Sequence, residues 1–275
     1  MRDKACVAFL QGHLPCLGLR WPGFRKVRGT VCKRLRRRLR ELGLDDLDAY
    51  AAYLAARPDE WARLDALCRI PISRFNRDSE VFRVLGASVL PELAWRVADE
   101  GGQEVRAWSA GCASGEEPYS LRIVWLEAVR CRVTGIRLDI MATDADPILL
   151  ERAERACYSA GSLKELPREW RERAFTRRDG SHCLRPAYKD DTHFRLQDIR
   201  VAWPDGPFHL VLCRNLAFTY FDVDRQRKLL PELMARMHPR AYLVLGSHED
   251  LPPGATGLEP GFEDLPIYRK QPATR

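Results

Sequence analysis

From Val27 onward the apolar residues Val31, Leu35, Leu39 and Leu42 recur every three or four positions, which predicts a helix with one buried stripe. Gly43 stops it. Asp45 or Asp46 can cap a second helix whose apolar face is Leu47, Tyr50, Ala51 and Leu54. Pro58-Asp59 opens a third, with Trp61, Leu64 and Leu67 inward. Pro71 breaks the pattern, and a further helix is expected from about 78 to about 97 over Val81, Leu85, Val89, Leu90 and Leu93. From Glu104 the pattern alternates between strand and helix. Strands are expected at 104–109, 136–143, 193–197, 208–213 and 241–246. Helices are expected at 116–130, from Pro147, near 168–175 and at about 224–237. Asp179-Gly180 signals a hairpin turn, and 258–270 a weaker closing hairpin. Such alternation predicts an α/β fold with a mostly parallel, doubly wound sheet covered on both faces.

Composition narrows the class. The chain has 275 residues, 45% of them hydrophobic, enough for one large or two small globular domains. No stretch approaches the roughly 18 apolar residues of a membrane span, and the N-terminus lacks a signal-peptide layout. The nine cysteines are odd in number, scattered and free of CxxC pairs. Neither a metal site nor a disulfide framework is expected from them, and a reducing, cytoplasmic location is. The net charge of +7 is uneven. Residues 1–77 hold 17 Lys/Arg against 8 Asp/Glu, an excess of nine, so the remainder falls two short of neutral.

The excess concentrates at 25–40, where nine Lys/Arg occur with no acid. Lys33, Arg36, Arg37 and Arg40 share one helical face, and Arg34 and Arg38 flank the apolar stripe. The run is either a solvated face balancing the acids at 41–48, or a field that steers an acidic partner. Nucleic acid ranks below protein as that partner, because no aromatics are interleaved for stacking on bases.

The stretch 107–120 carries the chemistry. Gly111 and Gly115 bend the chain after a strand, and Glu116, Glu117 and Pro118 open the next helix. There is no GxGxxG, and the acid ending the second strand, Asp144, lies 33 residues beyond Gly111, whereas a dinucleotide site expects about 20. No GxxxxGK[ST] run is present. Acids in the first helical turn would repel a phosphate and attract a cation such as the ammonium or sulfonium of S-adenosylmethionine (SAM), unless they only complement the helix dipole. Asp144 is placed either to accept from ribose hydroxyls or to cap the helix at Pro147. Gln197-Asp198-Ile199 ends the third strand, where a carboxylate can accept from an adenine amino group while Ile199 packs on the ring.

These motifs, read together, resemble the CheR-type chemoreceptor methyltransferases, which use SAM to esterify glutamate side chains. The matching stretches are WSAGCASGEEPYS (108–120), ATDAD (142–146), Leu163–Leu166 with Phe175 downstream, FHLVLCRN (208–215) with Tyr220-Phe221-Asp222, and ISRFNR (72–77). The resemblance covers roughly residues 25–250. It implies a small helical N-terminal domain (1–77), then a Rossmann-like SAM-dependent methyltransferase domain (78–275) with an inserted small β subdomain (157–193). It also implies site roles. Arg77 would pair with the methionyl carboxylate of SAM, with Ser73 near the cofactor. Glu116 or Glu117 would approach the amino end, beside the Gly111 turn. Asp144 would hold the ribose, and Asp198 with Ile199 would frame the adenine. Asn215 and Leu216 would touch the cofactor, and Tyr220 would line the methyl-acceptor side. Lys33, Arg36, Arg37 and Arg40 would dock an acidic helical protein, such as a chemoreceptor.

The chain departs from the family pattern at Pro71, at Asn76, in a loop 214–221 that is one residue longer, and at Gly246-Ser247-His248-Glu249. All face the acceptor, so the cofactor side is the better preserved. The expected reaction is methyl transfer to a glutamate of an acidic protein. A small-molecule or other side-chain acceptor, and a SAM-sensing module without catalysis, are the competing readings. Oligomeric state is not legible.

Overall fold

The computed structural model describes residues 3–272, which divide into two compact units. One runs to Ile70 and takes in Thr219–Gln226; the other comprises Pro71–Phe218 and the chain from Arg227 onward.

The first unit is helical, with helices Asp3–His13, Trp21–Phe24, Arg28–Leu42, Leu47–Ala56 and Glu60–Cys68. Val31, Leu35 and Leu39 are buried as their spacing predicts. Gly43 ends that helix in the left-handed region at φ 66°, where its N–H donates to the Arg40 and Leu39 carbonyls. Asp46, not Asp45, is the next cap: its side chain accepts from Ala49 N–H at 2.8 Å. Asp59 makes no side-chain cap bond, and Trp61 is only half-buried. The residues flanking the basic stripe are tied down. Arg34 donates to the Leu67 and Arg69 carbonyls. Arg38 forms a two-point pair with buried Glu60, at 2.9 and 2.7 Å, and Tyr50 Oη donates to the same carboxylate at 2.8 Å. Segment 219–226 is stitched on by backbone bonds, Arg20 N–H to Tyr220 O at 2.8 Å and Asp222 N–H to Gly18 O at 3.0 Å.

The second unit is built on a seven-stranded sheet. Its strands belong to the series β1 (Glu104–Ala110), β2 (Arg137–Asp144), β3 (Cys157–Tyr158), β4 (Phe175–Arg178), β5 (Ser181–Leu184), β6 (Thr192–Leu196), β7 (Phe208–Leu212), β8 (Met237–Val244), β9 (Leu258–Pro260) and β10 (Ile267–Lys270). The sheet order is β6-β2-β1-β7-β8-β10-β9. The pairs from β6 to β8 are parallel, and β10 joins β8 and β9 antiparallel. β7 is buried along its whole length, as a central parallel strand must be. Val81, Leu85, Val89, Leu90 and Leu93 pack with Leu121, Val124 and Trp125 against Val105, Ala107 and Leu210 to form the main core. This is the mostly parallel α/β fold that the alternation predicts, and the Rossmann-like domain that the resemblance implies.

β8 starts at Met237, four residues before the expected strand. Phe208 pairs with Met237 while Leu210 pairs with Tyr242, so the extra residues form a bulge, with Arg240 at φ 60°. Apolar alternation does not register a bulged start. β3, β5 and β4 form a separate antiparallel sheet within the expected insertion, whereas Thr192 and His193 already belong to β6 of the main sheet. The cysteine expectation fails. Cys6–Cys32 and Cys157–Cys183 are disulfides, each spanning 26 residues. Spacing rules look for local clusters and miss pairs brought together only by the fold.

Candidate cofactor site

At the end of β1 the chain turns through Gly111 (φ 74°), Ala113 (φ 49°) and Gly115 (φ 88°) into the helix Glu116–Val124. Glycine is required at both ends for conformation and for room. A Cβ at Gly111 would lie 2.4 Å from Leu216 Cδ2, and one at Gly115 would lie 2.9 Å from the Ala153 Cβ. The turn is bound to β2, since Gly111 and Cys112 N–H both donate to Thr143 O, at 2.8 and 3.0 Å.

Asp144 follows Thr143 at the tip of β2. Its Oδ2 accepts from Ala113 N–H and its Oδ1 from Asp146 N–H, each at 2.9 Å. Two backbone donors fix the carboxylate's direction. The helix cap is Asp146, whose side chain accepts from Ile148 N–H at 2.9 Å. Asp144 is therefore not consumed by capping.

The two glutamates of the first turn differ. Glu117 is locked inside: Ser109 Oγ donates to its Oε1 at 2.7 Å, and Arg214 to its Oε2 at 3.1 Å. Arg214 also donates to Asp78 Oδ2 and to the Arg77 carbonyl, both at 2.8 Å. Burial pushes the Glu117 carboxyl up, and the Arg214 charge opposes that push. Glu116 is also buried, with Ser73 as a hydrogen-bonding side chain, and burial raises its pKa. Its Oε2 has no partner among the described residues. A buried carboxylate oxygen left without a donor is costly, and a cation seated there would relieve it. Of the two acids, Glu116 is the one with an oxygen left without a partner among the described residues.

The wall opposite is the segment 72–77. Arg77 donates to Ile72 O at 2.8 Å and to Asn215 Oδ1 at 2.9 Å. Asn76 N–H donates to Ser120 Oγ at 2.8 Å, and Phe75 N–H to Ser162 O at 3.0 Å, which holds Ser73 and Arg77 over the turn. Asn215, in the left-handed region at φ 55°, follows Arg214 on the loop after β7. Its N–H donates to Glu249 Oε2 at 2.7 Å, and Gly246 N–H donates to the same oxygen at 2.6 Å.

At the end of β6, Ile199 is buried, but Asp198 is engaged by Arg200 through Nε at 2.9 Å and Nη2 at 2.6 Å. The expectation that Asp198 accepts from adenine meets an acceptor already holding a guanidinium. Gln197 Oε1, one residue earlier, is buried without a partner among the described residues. Tyr220 groups with the helical unit, its ring 5.0 Å from that of Phe24. Lys33, Arg36, Arg37 and Arg40 are exposed on that same unit, with Arg37 pairing to Glu41 at 3.5 Å. Cys112 is buried and its thiol is pushed up by burial, as fits a packing residue. The residues that sequence reasoning missed are Gln197, Arg214 and Glu249. All three lie inside motifs quoted above, but nothing in a sequence tells which polar atom is buried.

Residues 72–261 match the CheR methyltransferase SAM-binding domain, and residues 26–65 match the all-alpha domain of the same methyltransferases. The chain belongs to the CheR methyltransferase family. It is 31% identical over 186 residues to a chemotaxis protein methyltransferase of Listeria innocua, covering 68% of each chain. It is 30% identical over 231 residues to the chemotaxis protein methyltransferase of Salmonella typhimurium, covering 81% of this chain and 76% of that one. It is also 32% identical over 223 residues to an uncharacterized 104.1 kDa protein of Rhodobacter capsulatus; there it covers 81% of itself but spans only 23% of the relative. SAM is the cofactor of this CheR domain. The residues fit it: a buried Glu116 oxygen without a partner among the described residues, a carboxylate held in place at Asp144, and a turn at Gly111 in the left-handed region that favours glycine.

Proposed function

We propose that this chain esterifies a glutamate carboxylate on an acidic helical protein of the chemoreceptor kind, with SAM as methyl donor. The observation that carries the cofactor half is the buried Glu116 Oε2 without a partner among the described residues, on the helix that follows the turn bound by Asp144. Glu116 takes the ammonium and Arg77 the carboxylate of the methionyl end. Asp144 takes the ribose hydroxyls. Gln197 and Ile199 take the adenine edge and face. Leu216 and the Gly111 backbone close the middle. When bound, the cofactor supplies a methyl group already activated on a sulfonium. A carboxylate acceptor is ionised at neutral pH, so the protein need only align it and exclude water, and no general base is required.

The acceptor half is supported by the relatives named chemotaxis protein methyltransferase and by the exposed cations Lys33, Arg36, Arg37 and Arg40. No helix among the described residues is long and apolar enough to cross a membrane, and a cytoplasmic location belongs to the same proposal. The test is incubation with methyl-labelled SAM and the signalling fragment of a chemoreceptor. Label that leaves as methanol in mild base supports the reading. Base-stable label, or transfer only to a metabolite, contradicts it.

A further inference from the structure

The small antiparallel sheet is the floor of the cofactor turn. Tyr158, in β3, donates its Oη to Ser114 O at 2.8 Å, between the two turn glycines. Phe75, in the segment that carries Ser73 and Arg77, packs edge-on against Tyr158 at 4.8 Å and against Phe175 of β4 at 5.2 Å. Asn76 Nδ2 and Phe75 N–H anchor the same segment to Glu165 O and Ser162 O. Two walls of the site therefore rest on β3 and β4.

β3 is only two residues long, and pairs with β5 through Cys157↔Cys183 and Tyr158↔His182. So short a strand has little ladder to hold it. Beside its aromatic packing, the Cys157–Cys183 disulfide, one residue from Tyr158, ties it covalently to β5. Cys157 is exposed and Cys183 half-exposed. The other disulfide, Cys6–Cys32, is 0% and 1% exposed, so only the first is open to an attacking thiolate.

We propose that Cys157–Cys183 is a reversible thiol–disulfide site whose reduction by a dithiol protein loosens β3 and weakens cofactor binding. This rests on the cofactor reading above. The thiolate of the dithiol attacks Cys157 Sγ, the Cys157–Cys183 bond breaks, and Cys183 leaves as a thiolate that takes a proton. The second thiol of the reductant then attacks the mixed disulfide, releasing Cys157 as a thiol and leaving the reductant oxidised. The two electrons come from the dithiol, and reoxidation reverses the steps. Oxidised protein holds Tyr158 under Ser114 through a cross-linked strand; reduced protein holds it through the short ladder, its packing and its own hydrogen bond, without the cross-link.

The test uses the full chain and S-adenosylhomocysteine, the demethylated product, as calorimetric probe. The protein is titrated oxidised and after treatment with thioredoxin and its reductase, with thiols counted by alkylation and mass spectrometry. We expect Cys157 and Cys183 to become alkylated while Cys6 and Cys32 stay protected, and affinity to fall about tenfold. Amide exchange at 73–77 and 111–115 should speed up on reduction. Cys157→Ser should show the weak affinity under both conditions, and Cys6→Ser should keep the redox response. If Cys157→Ser fails to fold, the wild-type comparison decides alone. Alkylation of Cys157 and Cys183 with unchanged affinity overturns the proposal, as does their protection under native reduction. Absence of binding to the oxidised protein instead overturns the cofactor reading.

Discussion

Glu116 and Glu117 are successive residues with the same chemistry and opposite fates. One oxygen of Glu116 is buried without a partner among the described residues, whereas Glu117 is held by Ser109 and Arg214. The pattern placed two acids at the helix start, but successive side chains on a helix point about 100° apart, and only the fold says which direction is the pocket. Asp198 makes the same point, because its partner Arg200 is two residues away and no spacing rule required the pair. Glu116 carries a pH signature. Its folded pKa is raised by burial, so the stability linked to it is present below the ordinary carboxylate value and is lost as pH rises through the folded value. An ammonium binds the ionised form, so cofactor binding should release a proton. Affinity for S-adenosylhomocysteine is therefore expected to rise with pH above the ordinary carboxylate value. Glu116→Gln should weaken binding at pH 7 by roughly 10- to 100-fold, the worth of one charged hydrogen bond. It should leave the thermal midpoint of the free protein equal or higher. A fall in both would make Glu116 a structural residue.

The basic helix Arg28–Leu42 is the element whose sequence said most and was still half read. Its apolar stripe and its glycine stop follow directly from periodicity, because burial enforces the 3.6-residue repeat. Its spacing already sets Arg34 and Arg38 beside the apolar stripe and Lys33, Arg36, Arg37 and Arg40 on one face, and the fold supplies the partners that spacing cannot name. Arg38 serves buried Glu60, and Arg34 closes carbonyls at the end of helix Glu60–Cys68, while Arg36 and Arg40 face solvent. Arg38 holds the Glu60 carboxyl below the usual carboxylate range. Removing it strands a buried charge. Arg38→Ala should destabilise the protein by about 3 kcal/mol in urea unfolding, and Arg36→Ala by no more than about 0.5 kcal/mol. Equal effects would mean that Glu60 is solvated. The bulged start of β8 and the two disulfides were illegible for a related reason: each depends on a partner strand or helix far away in sequence.

Over the whole chain the charge is segregated, with the excess of positive charge in residues 1–77 and a near-neutral remainder that carries the cofactor candidates other than Ser73 and Arg77. That division was legible because composition needs no structure. A field of this kind acts on encounter with a partner more than on the chemistry. Reversing Arg36, Arg37 and Arg40 to Glu should leave affinity for S-adenosylhomocysteine within twofold of wild type. Methylation of an acidic protein should fall at least tenfold at low salt, through a slower association rate. Unchanged methylation would remove this face from substrate docking.

The central claim is that the tips of β1 and β2, with the segment 72–77, grip one sulfonium nucleoside. Titration calorimetry of the oxidised protein with S-adenosylhomocysteine tests it most directly, run beside Asp144→Asn and Arg77→Ala. One site per chain, weakened at least tenfold by each substitution, is the predicted result. No binding by wild type, or binding that neither substitution changes, would contradict it.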